Sequence, residues 1–270
     1  MELKQSANAM DEFGYLRPGL LRSPDIRAIA GSAGGPSGQH GSFESLTRID
    51  QRFYRAAGWA VLPDRTEAAH AVLLTYSRAD GAEVLLSLAD QGIERLDIAR
   101  QTGESKYVRS GWEQWLEIPE GADRVKAWAY DALSGHAFTL AGDQHASAAP
   151  VESIQYKLDN GGTFDSLIPG ESYTANGWAM LWEHPKRADR VLLTCGGGNE
   201  LIATAAPSTP RPDVMVAFHD LRLGGSGWTV TFSASRVPAE GCQLKAWAWD
   251  RHDRKAMLLT PSHLIPARAP

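Results

Sequence analysis

Cysteine is nearly absent from this chain of 270 residues: Cys195 and Cys242 are the whole supply, and both lie in the second half. A disulfide staple would be expected to recur in both halves, and a cysteine-based metal site needs more ligands at closer spacing. The corresponding positions of the first half carry no cysteine, so the pair is read as free, buried thiols. Long apolar runs are missing as well. No stretch approaches the ~18 residues of a membrane helix, so no membrane span is expected. The opening MELKQSANAMDEFGYLRPG lacks the apolar core of a signal peptide. The expected compartment is therefore the cytoplasm, with peripheral attachment to a membrane complex as a variant of it. An excess of positive charge is also lacking, since 27 Lys and Arg face 32 Asp and Glu for a net charge of −5. Nucleic acid, which usually meets a basic stripe, is not an expected partner.

Signatures of catalysis are missing too. There is no GxSxG elbow, no P-loop and no HExxH. Gly196-Gly197-Gly198 follows a strand-like run but no Lys-Ser/Thr follows it, so it reads as a hairpin turn. The eight histidines are scattered. His70 and His136 fall at strand starts, where the matching second-half residues are Asp189 and Lys255, so neither reads as a metal ligand. No enzyme, metal or cofactor is expected.

What is present is a soluble, folded composition, 43% hydrophobic and 22% charged, with nine tryptophans. It also carries an internal repeat. Gly41–Leu46 (GSFESL) returns as Gly162–Leu167 (GTFDSL), and the 18 residues from Gly58 match those from Gly177 at nine positions, where chance gives about one. Arg95-Leu96-Asp97-Ile98 returns as Arg211-Pro212-Asp213-Val214, Ser110-Gly111-Trp112 as Ser226-Gly227-Trp228, and KAWAYD from Lys126 as KAWAWD from Lys245. The order is kept and the offset stays between 116 and 121. The chain thus divides into an extended arm (1–40), a first copy (41–146), a linker (147–161) and a second copy (162–270).

Within the first copy, Ala56–Leu62, His70–Tyr76, Ala82–Leu88, Gly92–Ile98, Gly111–Ile118, Arg124–Asp131 and His136–Leu140 are short apolar or alternating runs. Turn residues separate them, and no convincing helical period intervenes. The expected fold is all-β: two tandem antiparallel β-sandwiches, immunoglobulin-like or jelly-roll, with seven or eight strands each. Six tryptophans pair between copies, namely Trp59 with Trp178, Trp112 with Trp228 and Trp128 with Trp247. Each sits beside Gly or Ala, as a core between two sheets requires. Trp115, Trp182 and Trp249 are unpaired and are the candidates for a surface or interface role. The Arg-x-Asp-Val/Ile motif reads as a turn capped by Asp, with Arg pinning a loop to a sandwich edge through a carboxylate.

The set GS/TxD/ESL, GWA, VLLT, RxDV, SGW and KAWAxD resembles the duplicated β-sandwich modules of bacterial proteins, often appended to membrane glycosyltransferases or surface proteins. The second copy, with its full Arg211-Pro212-Asp213-Val214, follows that pattern more closely than the first, where Leu96 replaces Pro. The resemblance covers about 200 residues and implies a fold, not an activity.

The arm is unlike the copies. Its apolar residues Phe13, Tyr15, Leu16, Leu20, Leu21, Ile26 and Ile29 are interrupted by Pro18 and Pro24, which break a helix. The segment reads as an extended peptide that anchors on another subunit. Residues 41–146 hold 16 acids and 11 bases, whereas 147–270 hold 12 of each, so the net charge belongs to the first copy. The expected function is that of a non-catalytic structural or adaptor protein. It would be an accessory subunit docking by its arm on a larger bacterial assembly, of which a membrane-associated, energy-converting complex is one kind. The alternative is a carbohydrate-binding protein that uses its exposed tryptophans.

Overall fold

A computed structural model describes residues 39–268, apart from Ala79, Asp90 and His184. The seven apolar arm residues from Phe13 to Ile29 lie outside the described residues. The chain divides after Glu152 into two compact units.

In the first unit the strands are β1 (Gly41–Arg48), β2 (Phe53–Leu62), β3 (Glu67–Ala68), β4 (Ala71–Ser77), β5 (Glu83–Ala89), β6 (Gln91–Ile93), β7 (Gly111–Glu117), β8 (Arg124–Asp131), β9 (His136–Thr139) and β10 (Gln144–His145). One helix, α1 (Leu96–Thr102), follows β6. One sheet runs β1-β2-β7-β6 with β3 beside β2; the other runs β10-β8-β4-β5 with β9 beside β8. Alternation along each strand decides what faces inward. Ala56 and Ala60 of β2, Trp112 and Leu116 of β7, Val72 and Leu74 of β4, and Val125, Ala127 and Ala129 of β8 share one buried cluster. The two sheets therefore enclose a single core.

The second unit contains β11 (Gln155–Ile168), β12 (Ser172–Leu181), β13 (Lys186–Arg187), β14 (Arg190–Cys195), β15 (Glu200–Ala205), α2 (Pro212–Ala217), β16 (Gly227–Ser233), β17 (Cys242–Asp250) and β18 (Lys255–Ile265). The order is β13-β12-β11-β18-β17-β14-β15, with β16 on β12. Pairing is antiparallel except between β11 and β18. Here the long β11 hydrogen-bonds to both β12 and β18, which joins all eight strands into one sheet folded around its core.

The all-β expectation holds, with four differences. First, Gly92–Ile98 is not one strand: β6 stops at Ile93 and α1 begins at Leu96. Asp97 sits in the first helical turn, where a carboxylate is favoured, and Gly103 closes the helix at φ 76°. Second, the supposed linker 147–161 is folded. Arg48 N–H bonds to the Pro150 carbonyl at 2.8 Å, Glu152 lies buried beside Arg55, and β11 already starts at Gln155. Third, Cys195 and Cys242 are not free thiols but a disulfide. The first-half comparison could not reveal it, because only one unit carries it.

Fourth, only one of the three tryptophan pairs fills the space between sheets. Trp112 and Trp228 belong to the two main cores. A Cβ on Gly58 would come within 2.9 Å of Trp112 Cζ2, and one on Gly177 within 3.0 Å of Trp228 Cζ2, so each ring takes the volume its glycine leaves. Trp128 and Trp247 point to the opposite face, where they are buried and donate from Nε1 to Thr75 Oγ1 (3.0 Å) and Thr194 Oγ1 (2.7 Å). Trp59 and Trp178 are half-buried, and each packs against the short helix that follows its own motif.

Candidate functional site

The 18 residues Arg95–Trp112 and Arg211–Trp228 align without a gap, and their local chemistry coincides. Arg95 pairs with Glu44 on β1 (2.7 Å) and with Asp97 (2.7 Å). Arg211 pairs with Asp165 on β11 (2.8 Å) and with Asp213 (2.7 Å). These arginines fix the start of each helix to the neighbouring strand, as the sequence reading of the motif expected. The acidic partners Glu44 and Asp165 are the variable E/D of the GSFESL and GTFDSL segments. Sequence reasoning noted that position without a role for it. The hydrogen bond from each arginine holds the carboxyls of Asp97 and Asp213 at about 2. Behind the ion pairs, Ile98 packs with Val61, Tyr107 and Trp59, and Val214 packs with Met180, Leu223 and Trp178. This hydrophobic contact seats the helix on the sheet.

On that shared frame the outer surfaces differ. Positions Arg100, Thr102 and Ser105 of the first unit are Val216, Phe218 and Leu221 in the second. In the second unit Val216 is 64%, Phe218 38% and Leu221 83% exposed. Trp182, just beyond β12, is 44% exposed, whereas the position 119 residues earlier is Pro63. Phe218 links Trp182 to Trp178. Its ring centroid lies 5.4 Å from that of Trp182 in an edge-on arrangement (73°) and 5.6 Å from that of Trp178. The Trp182 indole N–H donates to the Asn160 carbonyl, which fixes the ring's orientation. Four of the ten exposed large hydrophobics among the described residues thus fall on Trp182 and the 212–223 segment.

The rim of this face is charged and internally paired. Arg222 neutralises Asp220 (2.6 Å) and holds its carboxyl at about 2. Lys186 meets Asp189 (2.9 Å), and Lys255 meets Glu183 (3.0 Å).

The other two unpaired tryptophans are not on any surface. Trp115 is 4% and Trp249 1% exposed. Trp115 stands opposite Arg55 in the β2–β7 ladder, and Trp249 is framed by Arg190 and Ala256 on the adjoining strands. Non-recurrence between copies therefore identified one exposed aromatic, Trp182, and two buried ones. Phe218 was not singled out from sequence. The signal was available in the aligned motif, where an apolar residue takes the position that Thr102 holds in the first unit.

Aspartate, histidine and serine come together at Asp123 and again at Asp131, which lies 3.4 Å from His70 and accepts from Ser134. Asp123 accepts from the Ser147 backbone N–H (2.8 Å) and pairs with His145 Nδ1 (2.7 Å). The carboxylate takes both contacts itself, and they hold it at about 2. The arrangement ties the 144–148 segment to the β7–β8 turn. No group of three or more His, Cys, Asp or Glu side chains suited to a metal ion occurs among the described residues. Nor does any described helix have the length and apolarity to cross a membrane.

No protein-family model matches the chain, and no curated protein matches it either. Among solved structures it is similar to the apo structure of Bacteroides uniformis beta-glucuronidase 3. The match is 9% identical, covers 82% of this chain and 23% of that one, and has a TM-score of 0.20. The chain spans less than a quarter of that protein's length.

Proposed function

We propose that this chain is a non-catalytic adaptor built from two copies of one β-sandwich module, duplicated in tandem, and that the second copy carries the contact surface for a protein partner. The duplication is supported by detail a shared fold class would not require. Both units carry the same bulge, between Phe43 and Ser45 and between Phe164 and Ser166. Both also carry the same arginine–carboxylate clamp and the same Trp–Thr hydrogen bond.

The observation that carries the functional reading is the exposure of Trp182, Val216, Phe218 and Leu221, with Phe218 packed on Trp182, in one copy and their replacement by polar residues or proline in the other. A fold would not need it, and water opposes it. Its aliphatic members favour a protein over a sugar, because Val216 and Leu221 offer no flat surface for a pyranose ring. The arm, read from sequence alone, is a second anchoring element in this proposal.

Affinity capture from the native source, using the full chain and a Trp182→Ala/Phe218→Ser variant, tests it. A stoichiometric partner should be recovered with the wild type and fall at least tenfold with the variant. Recovery of the same partner by both would refute the reading. A glycan array bound by the wild type and not by Trp182→Ala would transfer the site to carbohydrate.

A further inference from the structure

The disulfide joins the end of β14 to the start of β17, with Cα atoms 5.7 Å apart and a sequence separation of 47. Ladder pairing between these strands ends at Cys195 and Leu244, so Cys242 lies two residues past the last pair. Cys195 is buried, Cys242 is packed against the same core, and there is no other cysteine in the chain. The gapless VLLT and KAWA matches put Tyr76 and Asp123 at the equivalent positions of the first unit. There Asp123 secures the corner by its contacts with His145 and Ser147. The two units thus hold one corner by different chemistry, and only the second requires oxidation.

We infer that the working form of this chain is the oxidised one and that it matures in an oxidising compartment, not in the cytoplasm that the sequence pointed to. A glutathione- and thioredoxin-buffered compartment keeps such pairs as thiols, and a cystine there is an exception. Formation proceeds by thiol–disulfide exchange with an external disulfide, whether a disulfide oxidoreductase or a small-molecule disulfide. One cysteine thiolate attacks that disulfide and releases a thiol. The second cysteine then attacks the mixed disulfide and releases the other. Two electrons and two protons leave the chain, and the donor becomes two thiols. A closed loop of this length also restricts the unfolded chain strongly, so reduction should lower the melting temperature of the second unit by roughly 15 °C.

The test is made on protein in its native cells. The culture is quenched in acid, denatured and treated with a polyethylene-glycol maleimide, with and without prior reduction. The expected result is no added label without reductant and two labels per chain after it. Two labels without reductant would overturn the inference. A Cys195→Ala/Cys242→Ala variant of the full chain provides the second measurement. It should fold and lose the stated stability, and an unchanged melting temperature would overturn the assignment of the cystine as a staple.

Discussion

Replacing Gly177 by alanine probes the packing of the second unit at its tightest point. The added Cβ would overlap the Thr163 carbonyl oxygen of the paired strand, and would lie 3.0 Å from Trp228 Cζ2 and 3.1 Å from Phe164 Cα. None of these can withdraw cheaply. The carbonyl belongs to the β11–β12 ladder beside its bulge, and Trp228 is enclosed in the core. Strands sit only ~4.8 Å apart, so relief requires them to part by roughly 1 Å or the indole to leave its rotamer. Overpacking typically costs 1–3 kcal/mol, and a double clash of this kind belongs at about 3 kcal/mol. For a unit of about 100 residues, 1 kcal/mol moves the melting temperature by roughly 4–8 °C. The expected drop is therefore about 12–24 °C for the second unit by calorimetry. Gly58→Ala meets the Ser42 carbonyl and Trp112 Cζ2 (2.9 Å) in the same way and should cost its own unit as much. A Gly177→Ala drop under about 4 °C would refute the packing argument. Losses differing more than twofold between the two sites would refute the equivalence of the units.

Three further outcomes follow from the same contacts. Trp249→Ala, deep in the second unit, should cost about 3–5 kcal/mol, whereas Trp182→Ala should change stability by less than about 1 kcal/mol; urea titrations of both variants check this. Asp97 and Asp213 titrate at about 2 in the folded chain, below the ordinary value of 3.8. The depressed value means that their contribution is present above pH 3.8 and is lost as the pH falls towards 2. The urea midpoint should consequently fall between pH 4 and 2, and fall less in an Arg95→Ala/Arg211→Ala variant. In Arg211→Ala alone, the Asp213 carboxyl should titrate near its ordinary value by NMR; a value still at about 2 would show that Arg211 is not the cause.

Much of this architecture was legible because alternation and turn chemistry act locally. β2, β4, β7 and β8 were read to within a few residues from apolar period and Gly/Pro punctuation alone. The repeat also told where ion pairs would recur, since Arg95 and Arg211 keep the same partners. What stayed hidden depends on contacts distant in sequence. The helices α1 and α2 are seven and six residues long. They are too short to show a period, and they exist because Ile98 and Val214 pack on a tryptophan of another strand. The disulfide joins positions that only the folding of β14 onto β17 brings together. Which face of a strand a tryptophan uses depends on what covers that face, so recurrence could not separate Trp112 from Trp59, or Trp182 from Trp249. Phe218 was readable in principle. It becomes informative only once the two motifs are known to occupy the same structural place.

The apolar face of the second unit is tested most directly by placing a photo-cross-linking amino acid at Leu221 of the full chain in its native cells, with Ser105 as the matched position of the first unit. A discrete partner adduct at 221, absent at 105 and lost when Trp182 is also replaced by alanine, is the expected result. Equal adducts at both positions, or none at 221, would contradict the assignment of this face as the contact surface.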